Sequence, residues 1–147
     1  MQERDEIANL GSYLGRDGVL LVGRVLMSLI FIGSGWNRVD HFADTAGFIA
    51  SLGVPAPDLF NGIEIVIEGL GGLAILTGLL FRFATLGIIA STIVASFLVH
   101  RFWTMSGNQG LDQYFHFMKN ACIVGVLLFF NVMGAGRFSL TRMWDPE

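Results

Sequence analysis

At 147 residues the chain has room for one compact bundle and no second domain. Hydrophobic residues make up 53% and charged residues 14%, where soluble domains carry about a quarter charged residues, so an ordinary soluble fold is excluded. A net charge of −3 with no basic run argues against a nucleic-acid partner, and Cys122, the single cysteine, excludes an intramolecular disulfide, a CxxC relay or a cysteine-held iron–sulfur cluster.

Residues 1–17 carry Glu3, Asp5, Glu6 and Asp17, unlike the basic start of a secretion signal, and no small-residue cleavage site follows the first apolar run. They are expected as a cytoplasmic tail before one membrane domain, residues 18–136. Its first span covers about 18–35. In the loop that follows, Phe42, Ala46, Ile49 and Leu52 share one side at helical spacing, with Gly53 as a stop. This predicts a short helix lying on or tucked into the membrane surface. Pro55 and Pro57 halt the chain ahead of span 2, about 59–80, where Asp58 is a natural N-cap.

Between Gly69 and Val99 only Arg82 is charged. One continuous helix there would measure about 46 Å, against a hydrocarbon core of about 30 Å, and would bury Arg82 near the bilayer centre. A tight hairpin around Gly78 to Phe83 removes both difficulties. Span 3 then covers about 83–99, span 4 about 115–133, and residues 137–147 form a second cytoplasmic tail. Gly87, Ser91 and Ala95 make a small-residue stripe on span 3 that lets a helix approach, within the bundle or in a homo-oligomer. Trp36, Trp103, Tyr114 and Phe115 fall at one boundary, as interfacial anchors do.

Four spans put both termini and the 2–3 turn on one side. That side holds Arg4, Arg16, Arg82, Arg137 and Arg142, and the other holds Arg38 and Arg101, so the arginine bias places both termini in the cytoplasm. The predicted fold is all-α: an integral-membrane four-helix bundle with cytoplasmic termini and a short interfacial helix in the first outer loop.

Polar residues inside such spans mark where function is expected, since lipid penalises a lone charge by about 2.5 to 3.5 kcal/mol even on the lenient scale. Glu64 and Glu68 lie one turn apart in the outer half of span 2, His100 closes span 3, and His116, Lys119 and Asn120 open span 4. Arg24 enters span 1 from the cytoplasmic side, free either to snorkel to headgroups or to reach Glu68. These groups read as a polar cluster that serves a pathway or ligand, or as glue that holds the helices in register. A metal site from His41, His100, His116 and a glutamate matches no established ligand spacing, so no metal is expected.

Gly23 and Arg24, Phe48 to Pro57 with its Leu-Gly-Val-Pro, Glu68 to Gly72, Thr77 to Arg82, His100 with Phe102 and Trp103, Lys119 with Asn120, and Gly134 to Leu140 together resemble the DoxX family, small four-span bacterial membrane proteins. The resemblance covers nearly the whole chain. The chain departs from the pattern in its longer acidic N-terminal tail and in Glu64, a second carboxylate one turn before the family-like Glu68. The resemblance implies an inner-membrane protein. It also implies a place in redox assemblies, since some members look like membrane subunits of quinone-linked sulfur oxidation and others are associated with thiol-redox or oxidative-stress assemblies. On that reading Glu68 relays protons, His100 hydrogen-bonds a quinone ring carbonyl, Arg24 and Asn120 fix the geometry, and a redox partner supplies the electron centre that is not evident in this chain. The competing reading is a non-catalytic scaffold or assembly factor. A small transporter ranks third.

Overall fold

The computed structural model describes the backbone of residues 2–144 and the side chains of residues 15–142. Among them there is no strand, and four helices are long and apolar enough to cross a membrane. The first is α1, Gln2–Asp40, whose apolar section begins at Gly15. The sequence expectation ended this span near Gly35, but the helix continues through Trp36, Asn37 and Arg38. Continuation keeps backbone hydrogen bonds internal where lipid offers no partner.

The expected short helix is present as α2, Phe42–Ser51, with Ala46 and Ile49 of its apolar side buried. Gly53, at φ +79°, follows it in the left-handed region expected of a stop. The second crossing is a composite of α3, Pro57–Ile65, a π-helical turn at Val66–Leu70, and α4, Gly71–Thr77. Its N-cap is Ala56 instead of the expected Asp58. Pro57 takes the first helical position, and Asp58 sits in the first turn, where a negative charge still complements the helix start.

The hairpin falls where length and Arg82 require it. Gly78 adopts φ +79°, and a Cβ there would run into Ser139. The third crossing is α5, Phe81–Val99, followed by a short 3-10 turn at Phe102–Thr104. The fourth, α6, Gly107–Met133, starts eight residues before the expected 115. A final helix, α7, Leu140–Trp144, ends the described chain.

The core is narrow. Leu20, Phe31, Ile75, Phe81, Ile88, Leu127 and Phe130 fill the axis, with the Phe81 and Phe130 rings tilted at 6.3 Å. Most large apolar side chains instead face outward, Phe83 and Val132 among the most exposed, as lipid-facing residues must. Helix α1 packs closely on the composite second helix: a Cβ on Gly35 would fall 2.8 Å from the backbone nitrogen of Gly69. That contact holds the π turn, and with it Glu68, against α1.

Candidate functional site

Two polar assemblies occupy opposite ends of the bundle. At the end carrying both termini, Arg24 is 1% exposed and spends its guanidinium on backbone carbonyls. Its Nε donates to Ile75 O at 3.0 Å and its Nη2 to Leu76 O at 2.6 Å; its Nη1 donates to Ala135 O at 2.5 Å and Phe138 O at 2.9 Å. Ile75 and Leu76 lie in the last turn of α4, whose carbonyls have no partner within the helix. Arg24 is thus the side-chain cap of the second crossing and ties residues 135–138 onto the bundle. The Arg24–Glu68 pair that the sequence left open does not form.

Glu68 pairs instead with Arg38. The Arg38 Nε donates to Glu68 Oε2 at 3.0 Å, with the two side chains 20% and 11% exposed. Arg38 Nη1 also donates to Asn61 Oδ1 at 3.3 Å, and Asn61 Nδ2 donates to Phe42 O at 3.4 Å. The guanidinium is therefore fixed by the carboxylate and by a fully buried amide that is itself anchored to α2. One turn earlier, the Ser91 hydroxyl donates to Glu64 Oε2 at 2.5 Å. The π turn carries Glu68 on a helix segment with one extra residue per turn, a winding often found at functional sites.

On the facing side, Asn120 Nδ2 donates to Ser96 Oγ at 3.0 Å, and that hydroxyl donates to Thr92 O at 2.7 Å. His100 Nδ1 lies 2.7 Å from Gln113 Oε1, within hydrogen-bond distance, so α5 and α6 meet at this ring. The His100 and His116 rings stack at 5.2 Å. Lys119 Nζ donates to His116 Nδ1 at 3.1 Å, and His116 Nε2 is 3.6 Å from Asp112 Oδ2.

Between these two sides lies a cavity of about 360 Å³, a volume typical of small-molecule sites. Arg38, Glu64, Glu68, His100, Lys119 and Asn120 all line it, and its apolar wall comes from residues such as Phe31, Phe48, Phe60 and Ile123. Of the residues singled out from sequence, five meet here. His116 stands behind His100 instead of on the wall, and Arg24 is at the other end. Among the described residues no group of three His, Cys, Asp or Glu side chains is gathered to hold a metal ion.

Sequence reasoning missed Arg38 and Asn61. Arg38 was counted with the outer loop because Trp36 and Asn37 looked like the end of a span. The available signal was periodicity: Ser34, Asn37, Arg38 and His41 share one helical face, and Asn61, Glu64 and Glu68 share another. Ser91 was read as a small-residue contact and is a carboxylate donor, whereas Gly87 of the same stripe meets nothing within 4 Å of a built Cβ.

The DoxX family model matches residues 19–101, more than half of the chain. The chain belongs to the DoxX family. It is 35% identical to inner membrane protein YqjF of Escherichia coli K12 over 128 residues, 87% of this chain and 93% of the relative. It is 32% identical to inner membrane protein YphA of the same organism over 127 residues, 86% of this chain and 91% of the relative. No solved structure matches it significantly. With four apolar crossings and these relatives, this DoxX protein is a multi-pass inner-membrane protein. The DoxX model ends at Arg101, so it covers Arg38, Glu64, Glu68 and His100 but not the α6 wall of Lys119 and Asn120.

Proposed function

We propose that this protein is the membrane subunit of a redox assembly and holds the ring of a lipid-soluble carrier, a quinone, in the cavity beside Glu68. The observation that supports this reading is the cavity itself. A scaffold built only to fasten four helices gains nothing from an open chamber flanked by two glutamates, a histidine and a lysine.

The chamber suits such a ring in shape and chemistry. Its aromatic and aliphatic wall fits a flat apolar body, and its polar groups sit on two opposing sides. A bound quinone supplies two-electron chemistry coupled to protons. Glu68 is the proton-exchanging group, held in place by Arg38 and backed by Glu64. His100 is placed in the wall to hydrogen-bond a ring oxygen, and Asn120 and Lys119 orient the opposite edge. Electrons come from a protein partner. With the arginine-rich termini end in the cytoplasm, the cavity opens in the outer half of the bilayer.

The scaffold reading is favoured by one fact: among the described residues, every buried side-chain nitrogen and oxygen already has a hydrogen-bond partner. One experiment separates the two. Protein purified in mild detergent is extracted with solvent and the extract analysed by mass spectrometry, beside Glu68→Gln. A quinone enriched with the wild type and lost from the variant is the expected result. Ordinary phospholipid alone in both samples refutes carrier binding and leaves the scaffold.

A further inference from the structure

At the termini end, remote from Glu68, lies a second cavity of about 560 Å³. It is bounded by the start of the apolar part of α1, the Gly78–Leu80 turn, the first residues of α5 and the segment from Met133 to Arg142. Three arginines from three distant parts of the chain, Arg16, Arg82 and Arg142, line it. Among the described residues none of the three makes a salt bridge. The cavity's one carboxylate, Asp17, is engaged elsewhere: its Oδ1 accepts the backbone N–H of Arg137 at 3.2 Å.

The walls are fixed in place. The Thr141 hydroxyl donates to Gly78 O at 2.7 Å, and Arg24 holds Ala135 and Phe138 from beneath. On the lipid side the rim is apolar, with Leu80 73% and Phe83 77% exposed. A cationic pocket at the end of a membrane bundle, with an oily rim beside it, has the polarity pattern of one lipid molecule.

We propose that this cavity binds the phosphate group of an anionic phospholipid, whose acyl chains run along Leu80 and Phe83. Guanidinium is the side chain best matched to phosphate, because its planar fork donates two parallel hydrogen bonds. Three arginines against one carboxylate, already hydrogen-bonded to the Arg137 N–H, select an anionic headgroup over a zwitterionic one. The apolar rim selects a lipid over free phosphate. The site owes nothing to the Glu68 cavity and stands or falls independently of the redox reading.

The test uses the full chain in mild detergent, mixed with phosphatidylglycerol, phosphatidylcholine or inorganic phosphate. Native mass spectrometry reads retained lipid, and the thermal midpoint reads stabilisation. The wild type is expected to retain phosphatidylglycerol about tenfold over phosphatidylcholine and to be stabilised by it. R82Q/R142Q is expected to lose that preference while keeping its helical circular dichroism. If the double variant does not fold, R16Q alone, at an exposed position, is expected to reduce the preference. Equal retention of the two lipids by the wild type, or an unchanged preference in the folded variant, overturns the proposal. Stabilisation by inorganic phosphate equal to that by phosphatidylglycerol overturns the assignment to lipid.

Discussion

Helix α1 carries two buried or half-buried arginines fourteen positions apart, and their surroundings differ in kind. Arg24 meets only main-chain carbonyls, four of them, and lines neither of the two cavities described above. Arg38 meets side chains, Glu68 and Asn61, and one flank of the group opens on a cavity. A guanidinium that satisfies backbone closes a fold. A guanidinium that orients a carboxylate at a cavity wall leaves chemistry available. The difference lies in the partners and not in depth or residue type.

The comparison can be broken most severely at Arg24. Arg24→Met leaves buried carbonyls without donors at about 1–3 kcal/mol each, so a loss of several kcal/mol is expected, read as a large drop in the thermal midpoint in detergent. Arg24→Lys, with the charge but not the fork, should recover only part of it. A smaller loss comes from Gly35→Ala, whose Cβ must push α1 away from the Gly69 backbone. About 1–3 kcal/mol is expected, together with reduced carrier retention because the π turn that holds Glu68 shifts.

A double-mutant cycle then sharpens the contrast between the two arginines. Arg38→Ala with Glu68→Gln should show coupling of about 1 kcal/mol, discounted for the partial exposure of the pair. Arg24→Lys with Glu68→Gln should be additive, because no contact joins them. Coupling in the second cycle would mean that the two ends communicate. The smallest effect belongs to Gly62→Ala, on α3, where a Cβ meets nothing within 4 Å. Stability should stay level or rise by about 0.5–1 kcal/mol, and a clear loss would show that Gly62 is used for an approach this structure lacks.

Much of the architecture was legible beforehand because bilayer thickness leaves few choices. The length argument placed the hairpin near Gly78, and the spacing of Ala46 and Ile49 revealed α2. Which element buries that side depends on what α3 offers, which α2's own sequence does not contain. The meeting of Glu64, Glu68, His100, Lys119 and Asn120 at one cavity followed from their common depth along the spans. Which arginine joins them did not, because depth along a helix carries no information about rotation around it. Arg24 and Arg38 were told apart by the face each presents and by carbonyls at Ala135 and Phe138 that no local pattern announces. The π turn was equally hidden, since its five residues, Val66–Leu70, look like any apolar helix.

The Arg24 cap also bears on how the protein is made. Its acceptors at Ile75 and Leu76 emerge from the ribosome some fifty residues after it, and those at Ala135 and Phe138 come 111 and 114 residues later. At roughly 5–20 residues per second of synthesis, the guanidinium waits on the order of ten seconds for its last partners. During that interval the first crossing must sit in the bilayer with an incompletely solvated cation, near enough to the headgroups to reach water. Completion of the fold is therefore timed by translation of the C-terminal segment, and a chain truncated after Met133 would emerge with every crossing present but without the Ala135 and Phe138 carbonyls that complete the Arg24 cap.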